Sequence, residues 1–112
     1  MRSRPDPSRM ARHIEPAAQL LRALANPHRL MILYLLSEGE LSVSELNALV
    51  PLSQSALSQH LSVLRRDGLV DTRRESQSIH YRIANGLVLK IIKLLHQQLS
   101  LRAASQHAGE TS

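Results

Sequence analysis

The chain has 112 residues, with 14 Lys and Arg against 9 Asp and Glu, a formal net charge of +5, and no cysteine. That length makes one small domain with a limited core, so a second copy is a natural way to cover apolar surface. The missing cysteines remove disulfides, thiolate metal sites and thiol redox switching; with only Tyr34 and Tyr81 as aromatics, the stacking platforms of single-strand and RNA binders are missing too.

Residues 1–13 combine Pro5, Pro7, Ser3 and Ser8 with scattered arginines and no apolar period, which predicts a disordered basic arm. A helix is expected from Ile14 to Ala25, where Ala17, Ala18, Leu20, Leu21 and Leu24 recur at helical spacing. Asn26 can cap a second helix and Pro27 suits its first turn. That helix should run to about Leu36, with Leu30, Ile32, Leu33, Leu35 and Leu36 inward and Gly39 ending the segment. Leu41 to Val50 reads as a short third helix, capped by Ser42 or Ser44, with Leu46 and Leu49 inward. Pro51-Leu52-Ser53 is a turn.

A fourth helix follows, with Ser53 as N-cap and Gly68 placed to stop it in the left-handed conformation. At about 100° per residue, Gln54, Ser55, Ser58, Gln59, Ser62, Arg65 and Arg66 fall in one arc of roughly 140°. Ala56, Leu57, Leu61, Val63 and Leu64 take the opposite side. A solvated helix face favours Glu and Lys, which pair at i,i+4. Amides and hydroxyls instead suit base edges and phosphate oxygens in a major groove. Two short helices joined by a tight turn, the second with such a face, make a helix-turn-helix.

After Gly68 the period becomes two. Leu69 to Arg74 reads as one strand, Ile79, Tyr81 and Ile83 alternate in another, and Glu75 to Ser78 connects them. A hairpin with Arg73 and Arg74 at its tip, directly after a recognition helix, is a wing. Asn85-Gly86 ends it. Leu87 to Leu101 is apolar nearly all round, so it should be buried on more than one side. The first and last helices are therefore the expected dimer interface, and residues 102–112 a flexible tail. The fold class is mainly α with a small β-hairpin, a winged helix-turn-helix in the order α-α-α-α-β-β-α, with its domain at 14–101.

Charge distribution agrees with a nucleic-acid partner. Residues 1–12 hold four arginines against Asp6, and residues 65–82 hold five arginines against three acids. Ser37 to Pro51, by contrast, contains Glu38, Glu40 and Glu45 and no Lys or Arg. Ser55 and Gln59 are the expected base readers, since Gln can pair bidentately with adenine. Ser53, Gln54, Ser58 and Arg65 suit phosphate contact and positioning, and Ser62 completes the face. His60 lies on the apolar side, where it packs or reaches a phosphate. Arg73 and Arg74 should add salt-dependent backbone affinity.

Six histidines, His13, His28, His60, His80, His96 and His107, are spread along the chain without metal-ligand spacing, so no cofactor is expected. His13 and His96 could meet across a dimer. No phosphate loop, clustered nucleophile and base, or paired carboxylates point to an enzyme. No apolar run reaches the length of a membrane span, and no signal-peptide core follows the basic start. A cytoplasmic protein is expected.

Leu24-Ala25-Asn26-Pro27-His28-Arg29-Leu30-Met31-Ile32-Leu33, then Leu52-Ser53-Gln54-Ser55-Ala56-Leu57-Ser58-Gln59-His60-Leu61, then Gly68-Leu69-Val70 and Tyr81-Arg82 resemble the ArsR/SmtB family of bacterial winged-helix repressors. The run from Ser53 looks most like its HlyU/BigR/SqrR/NolR-like branch. The resemblance implies a homodimer on double-stranded DNA, with recognition helices in successive major grooves of an inverted repeat and wings on the flanks. It also implies release by an effector, or in some members relief of silencing. Ser42 and Ser44 stand where metal-sensing members carry Cys-x-Cys, and hydroxyls are poor ligands for soft metals. Asn85, Leu87, Gln98 and Leu101 correspond to the zinc ligands of other members, and Tyr34 and Ser100 to the cysteines of redox-switching ones. The signal is thus left open. A regulator answering a small molecule or a His/carboxylate-bound metal, and a protein-interaction module of the same fold, are the alternatives to a simple repressor.

Overall fold

A computed structural model describes residue 4 and residues 6–110, with side chains through Ala104. In order it contains α1 (Pro7–Leu24), α2 (Pro27–Ser37), β1 (Leu41–Ser42), α3 (Val43–Leu49), α4 (Gln54–Arg66), β2 (Val70–Glu75), β3 (Ser78–Ile83) and α5 (Gly86–Glu110). The expected helices and hairpin are present. β1 was not expected, and it turns the hairpin into a three-stranded antiparallel sheet ordered β1-β3-β2.

Local chemistry sets most boundaries. The Asn26 side chain accepts hydrogen bonds from the backbone N–H groups of His28 and Arg29 at 2.9 and 3.1 Å, and Pro27 opens α2 where no N–H is needed. α1 starts in the same way, with the Asp6 carboxylate accepting from Ser8 N–H at 3.1 Å and Pro7 in the first turn. The stretch 7–13, expected as a disordered arm, is therefore helical; residues 1–3 and 5 of that arm lie outside the described residues. Pro16 sits inside the longer helix, where it can donate no hydrogen bond to the preceding turn. α5 also outruns its expected end at Leu101. Ala103 and Ala104 are strong helix formers, and the helix continues to Glu110; residues 111 and 112 of the expected tail lie outside the described residues.

The core is one cluster. Ile32, Leu33 and Leu36 of α2 meet Leu46 of α3, Leu57, Leu61 and Leu64 of α4, Leu69, Val70, and Val88 and Ile92 of α5, all buried. α1 contributes Ala23 and Leu24 from its last turn, with half-buried Leu20 packed against the cluster. Leu49, expected inward, is exposed while Val50 is buried, because the helix stops at Leu49 and the next residue turns into the core. Met10, Ile14 and Leu21 of α1, and Leu87, Leu94, Leu95, Leu99 and Leu101 of α5, remain exposed. Within α5, Leu87, Leu94 and Leu101 are seven residues apart and so share one face.

Candidate nucleic-acid interface

α4 is held by both ends and one side. Ser53 Oγ accepts from the N–H of Ala56 at 3.1 Å. At the other end Gly68 has φ 75°, Leu69 N–H donates to Leu64 O at 2.8 Å and Gly68 N–H to Arg65 O at 3.1 Å. That double bond satisfies carbonyls the helix leaves open, and the left-handed residue it needs is glycine. Leu57 and Leu64 are fully buried and Leu61 nearly so. The face that this anchoring turns outward carries Gln54, Ser55, Ser58, Gln59, Ser62, Arg65 and Arg66, and every one is exposed. Among the described residues Arg65 forms no ion pair, and Arg66 reaches only its neighbour Asp67, at 3.4 Å. Donors and acceptors stand unengaged on the surface of a helix about 20 Å long, which fits a major groove.

α3 precedes it as the positioning helix. Ser42 caps α3, accepting from Glu45 N–H at 3.1 Å, while the Glu45 carboxylate accepts from Ser42 N–H at 2.9 Å. This reciprocal pair satisfies two otherwise open donors, and the bonds to Ser42 hold the Glu45 carboxyl below its usual range. Of the two serines expected as alternative caps, Ser42 serves.

His60 does not join the polar face. It is half-buried and turned toward α2, its ring 5.6 Å from that of His28. Burial, then the nearby Arg29 and His28, lower its pKa by disfavouring the charged ring. Arg29 Nε donates to Ala23 O at 2.6 Å and Nη2 to Arg22 O at 3.3 Å. Its guanidinium closes the carboxyl end of α1 and so ties that helix to α2.

The wing differs from expectation in a specific way. Its tip is Ser76-Gln77, with Ser76 in the left-handed region at φ 55°, because Glu75 pairs with Ser78. Arg74 pairs with Ile79 and Arg73 with His80, so the two arginines lie behind the tip on opposite faces. Arg74 is exposed and forms no ion pair among the described residues. Arg73 is bound to Glu40 and Glu75. Glu40, just before β1, was not anticipated as a partner, and nothing local in the sequence announces it.

No three His, Asp or Glu side chains converge in a metal-binding group among the described residues. Within one chain, His96 of α5 packs edge-on against Tyr34 of α2, ring centroids 5.2 Å apart. No helix among the described residues is long and apolar enough to cross a membrane.

Residues 26–72, from the cap of α2 into β2, match the family described as bacterial regulatory protein, arsR family. Over 88 residues, 79% of this chain and 82% of the relative, the chain is 51% identical to the transcriptional activator HlyU of Vibrio cholerae serotype O1. The chain belongs to the ArsR family. It is also 45% identical over 87 residues to a biofilm growth-associated repressor of Agrobacterium fabrum, covering 78% of this chain and 74% of the relative. The structure of reduced HlyU from Vibrio cholerae superposes with a TM-score of 0.77 at 50% identity, covering 80% of this chain and 95% of that one. A homodimeric winged helix-turn-helix DNA-binding domain from Mycobacterium bovis, a possible ArsR-family transcriptional regulator, superposes with a TM-score of 0.73 at 33% identity, covering 89% and 91%. This ArsR-family chain is thus a DNA-binding transcriptional regulator of the winged helix-turn-helix type.

Proposed function

We propose that this regulator is a repressor that binds an imperfect inverted repeat as a homodimer, with α4 in the major groove and the wing on the flanking backbone. The observation that carries the reading is the outward face of α4, seven exposed polar or basic side chains on a helix fixed at both caps and by three core leucines. Ser55 and Gln59 read base edges. Ser53, Gln54, Ser58, Ser62 and Arg65 set the helix on phosphates, and Arg74 adds backbone affinity from the wing. His60 supports this helix from behind, against His28, rather than touching DNA.

The dimer rests on surface the single chain leaves open. Met10, Ile14 and Leu21 lie on one stripe of α1, and Leu87, Leu94 and Leu101 on one face of α5, and exposed apolar stripes of this kind mark interaction surfaces. The radius of gyration, 17.5 Å, exceeds the roughly 13 Å of a compact domain of this length, as expected of a chain whose terminal helices await a partner. A two-fold pair would present two α4 helices to half-sites about one DNA turn, roughly 34–36 Å, apart.

The test is a mobility-shift titration of the purified chain on its own upstream region and on a pool selected from random duplexes, with light scattering on the free protein. The expected result is a dimer, a palindromic selected site, affinity that falls steeply with salt, and reduced transcription when the site overlaps a promoter. A monomer, or binding no tighter on selected than on random DNA, overturns the reading.

A further inference from the structure

The outer face of the sheet carries a charge pattern that DNA contact does not explain. Strand alternation places Asp71, Arg73 and Glu75 of β2 on that face, with Arg82 opposite Asp71 and His80 opposite Arg73. Ser42 of β1 pairs with His80 from the other side, which brings Glu40 alongside. Arg73 Nε donates to Glu40 Oε1 at 2.9 Å, and its Nη2 donates to the same oxygen and to Glu75 Oε2, the latter at 3.1 Å. His80 Nδ1 lies 3.7 Å from Glu40 Oε1 and Nε2 lies 3.8 Å from Glu75 Oε2. Arg73, Glu40, His80 and Glu75 thus close a ring.

The ring joins parts of the chain that have no covalent reason to move together. Glu40 belongs to the connection between α2 and α3, the entrance to the helix-turn-helix, and Arg73 to the wing 33 residues later. Hydrogen bonding to Arg73 is the main cause that holds the Glu40 carboxyl below its usual range, and bonds to Glu40 and then Glu75 raise the guanidinium. If Arg73 left for a phosphate, Glu40 and Glu75 would lose their hydrogen-bonded guanidinium beside a polyanion, with His80 against both and Arg82 acting on Glu40 only through space, an unfavourable exchange. A planar fork held by two acids fixes direction better than a flexible ammonium would.

We propose that Arg73 and Glu40, completed by Glu75 and His80, are positioning residues that set the angle of the wing against the helix-turn-helix, and that Arg73 influences DNA affinity through this geometry without touching a phosphate. The proposal rests on the reading that the wing contacts DNA. It assigns the two neighbouring arginines opposite tasks: Arg73 orients the wing and Arg74 makes the contact.

The experiment uses the full chain and the selected duplex, with affinity measured between 50 and 200 mM salt (roughly the range over which phosphate contacts are read). Variants are Arg73→Gln, Arg73→Lys, Glu40→Gln, the Glu40→Gln/Arg73→Gln double and Arg74→Gln, each checked for helix content. Arg73→Gln and Glu40→Gln should each weaken binding about twofold to fivefold, the scale of one exposed ion pair. The double should be no weaker than the worse single, the salt slope should stay as in the parent, and Arg73→Lys should not restore affinity. Arg74→Gln should reduce the salt slope by about one. Amide exchange in the DNA-free protein should quicken across residues 70–83 in every Glu40 and Arg73 variant and not in Arg74→Gln. A salt slope reduced by Arg73→Gln, together with tighter binding by Glu40→Gln, would make Arg73 a restrained phosphate contact and overturn the proposal. Unchanged hairpin exchange in Arg73→Gln and Glu40→Gln overturns it as well. If exchange quickens but Arg74→Gln leaves the slope intact, the ring stands and the wing's contact with DNA is what fails.

Discussion

The recognition helix and the wing carry similar polar chemistry and hold it on different terms. On α4 the anchoring is apolar and the outward groups are unspent: Leu57, Leu61 and Leu64 fix the helix from beneath, while Gln54, Ser55, Ser58, Gln59 and Arg65 project with no ion pair among them. On the wing the anchoring is itself polar. Toward the tip Arg73 is bound by Glu40 and Glu75 with His80 beside both, and apolar anchoring is confined to the hairpin's base, where Val70 is buried and Tyr81 and Ile83 pack against the core, while Ile79 is 38% exposed. A count of arginines treats Arg65, Arg73 and Arg74 alike. What a partner can use is the charge left after internal pairing, and that differs residue by residue.

The largest effect should come from attacking the anchoring of α4. Leu61 is 2% exposed, so Leu61→Ala should destabilise the fold by about 2–5 kcal/mol through lost burial and the cavity left behind. The matching truncation on the wing, Ile79→Ala, should cost only a small part of that. Urea unfolding of both variants tests the contrast directly, and equal midpoints would show the wing to be as firmly held by apolar contact as the helix.

Next comes the outward face. Gln59→Ala should cost roughly 1–3 kcal/mol on the selected site and relax preference at one base pair, since a bidentate amide contact to a base edge is lost. On random duplex it should cost little. Competition titration with single-base-pair variants of the site is the measurement. A uniform loss over all sequences would move Gln59 from base reading to phosphate contact.

The same contrast decides what the chain reveals before folding. Asn26-Pro27, Ser53 and Gly68 are local signals, each acting on backbone groups within a few residues, and all of them stand where they were expected. The seven-residue polar arc of α4 is likewise a property of one helix. Asp6-Pro7 is the same kind of cap as Asn26-Pro27, yet the prolines and arginines around it read as an arm, because composition masks a cap when no apolar period follows. β1 has two residues, and its existence depends on Tyr81 and His80 forty positions away. The binding of Arg73 by Glu40 is equally remote. Contacts of that range leave no periodicity or motif, so the wing's position was legible and the use of its charges was not.

The smallest effect separates the two regions by pH. His60 on α4 has its pKa lowered below the ordinary 6.5 by burial, then by Arg29 and His28. The unfolded chain therefore takes up a proton at His60 before the folded one does, so its contribution to stability is complete above 6.5 and declines as pH falls toward the lower folded value. Glu40 beside the wing is also lowered, from 4.5, chiefly by Arg73. Its contribution is complete above 4.5 and is lost only as pH falls through the folded value beneath that. Between pH 7 and 5 the junction of α2 with α4 should weaken while the wing's ring persists. Following the imidazole protons of His60 by NMR should show a midpoint below 6.5, and His60→Gln should flatten the decline of the urea midpoint over that interval. Hairpin amide exchange, measured in the same samples and corrected for the intrinsic pH dependence of exchange, should hold steady until the solution becomes more acidic than pH 4.5. A His60 midpoint at or above 6.5, or an equal decline in His60→Gln, would mean that the ring against His28 is not held neutral and that α4 owes its fixed position to its leucines and caps alone.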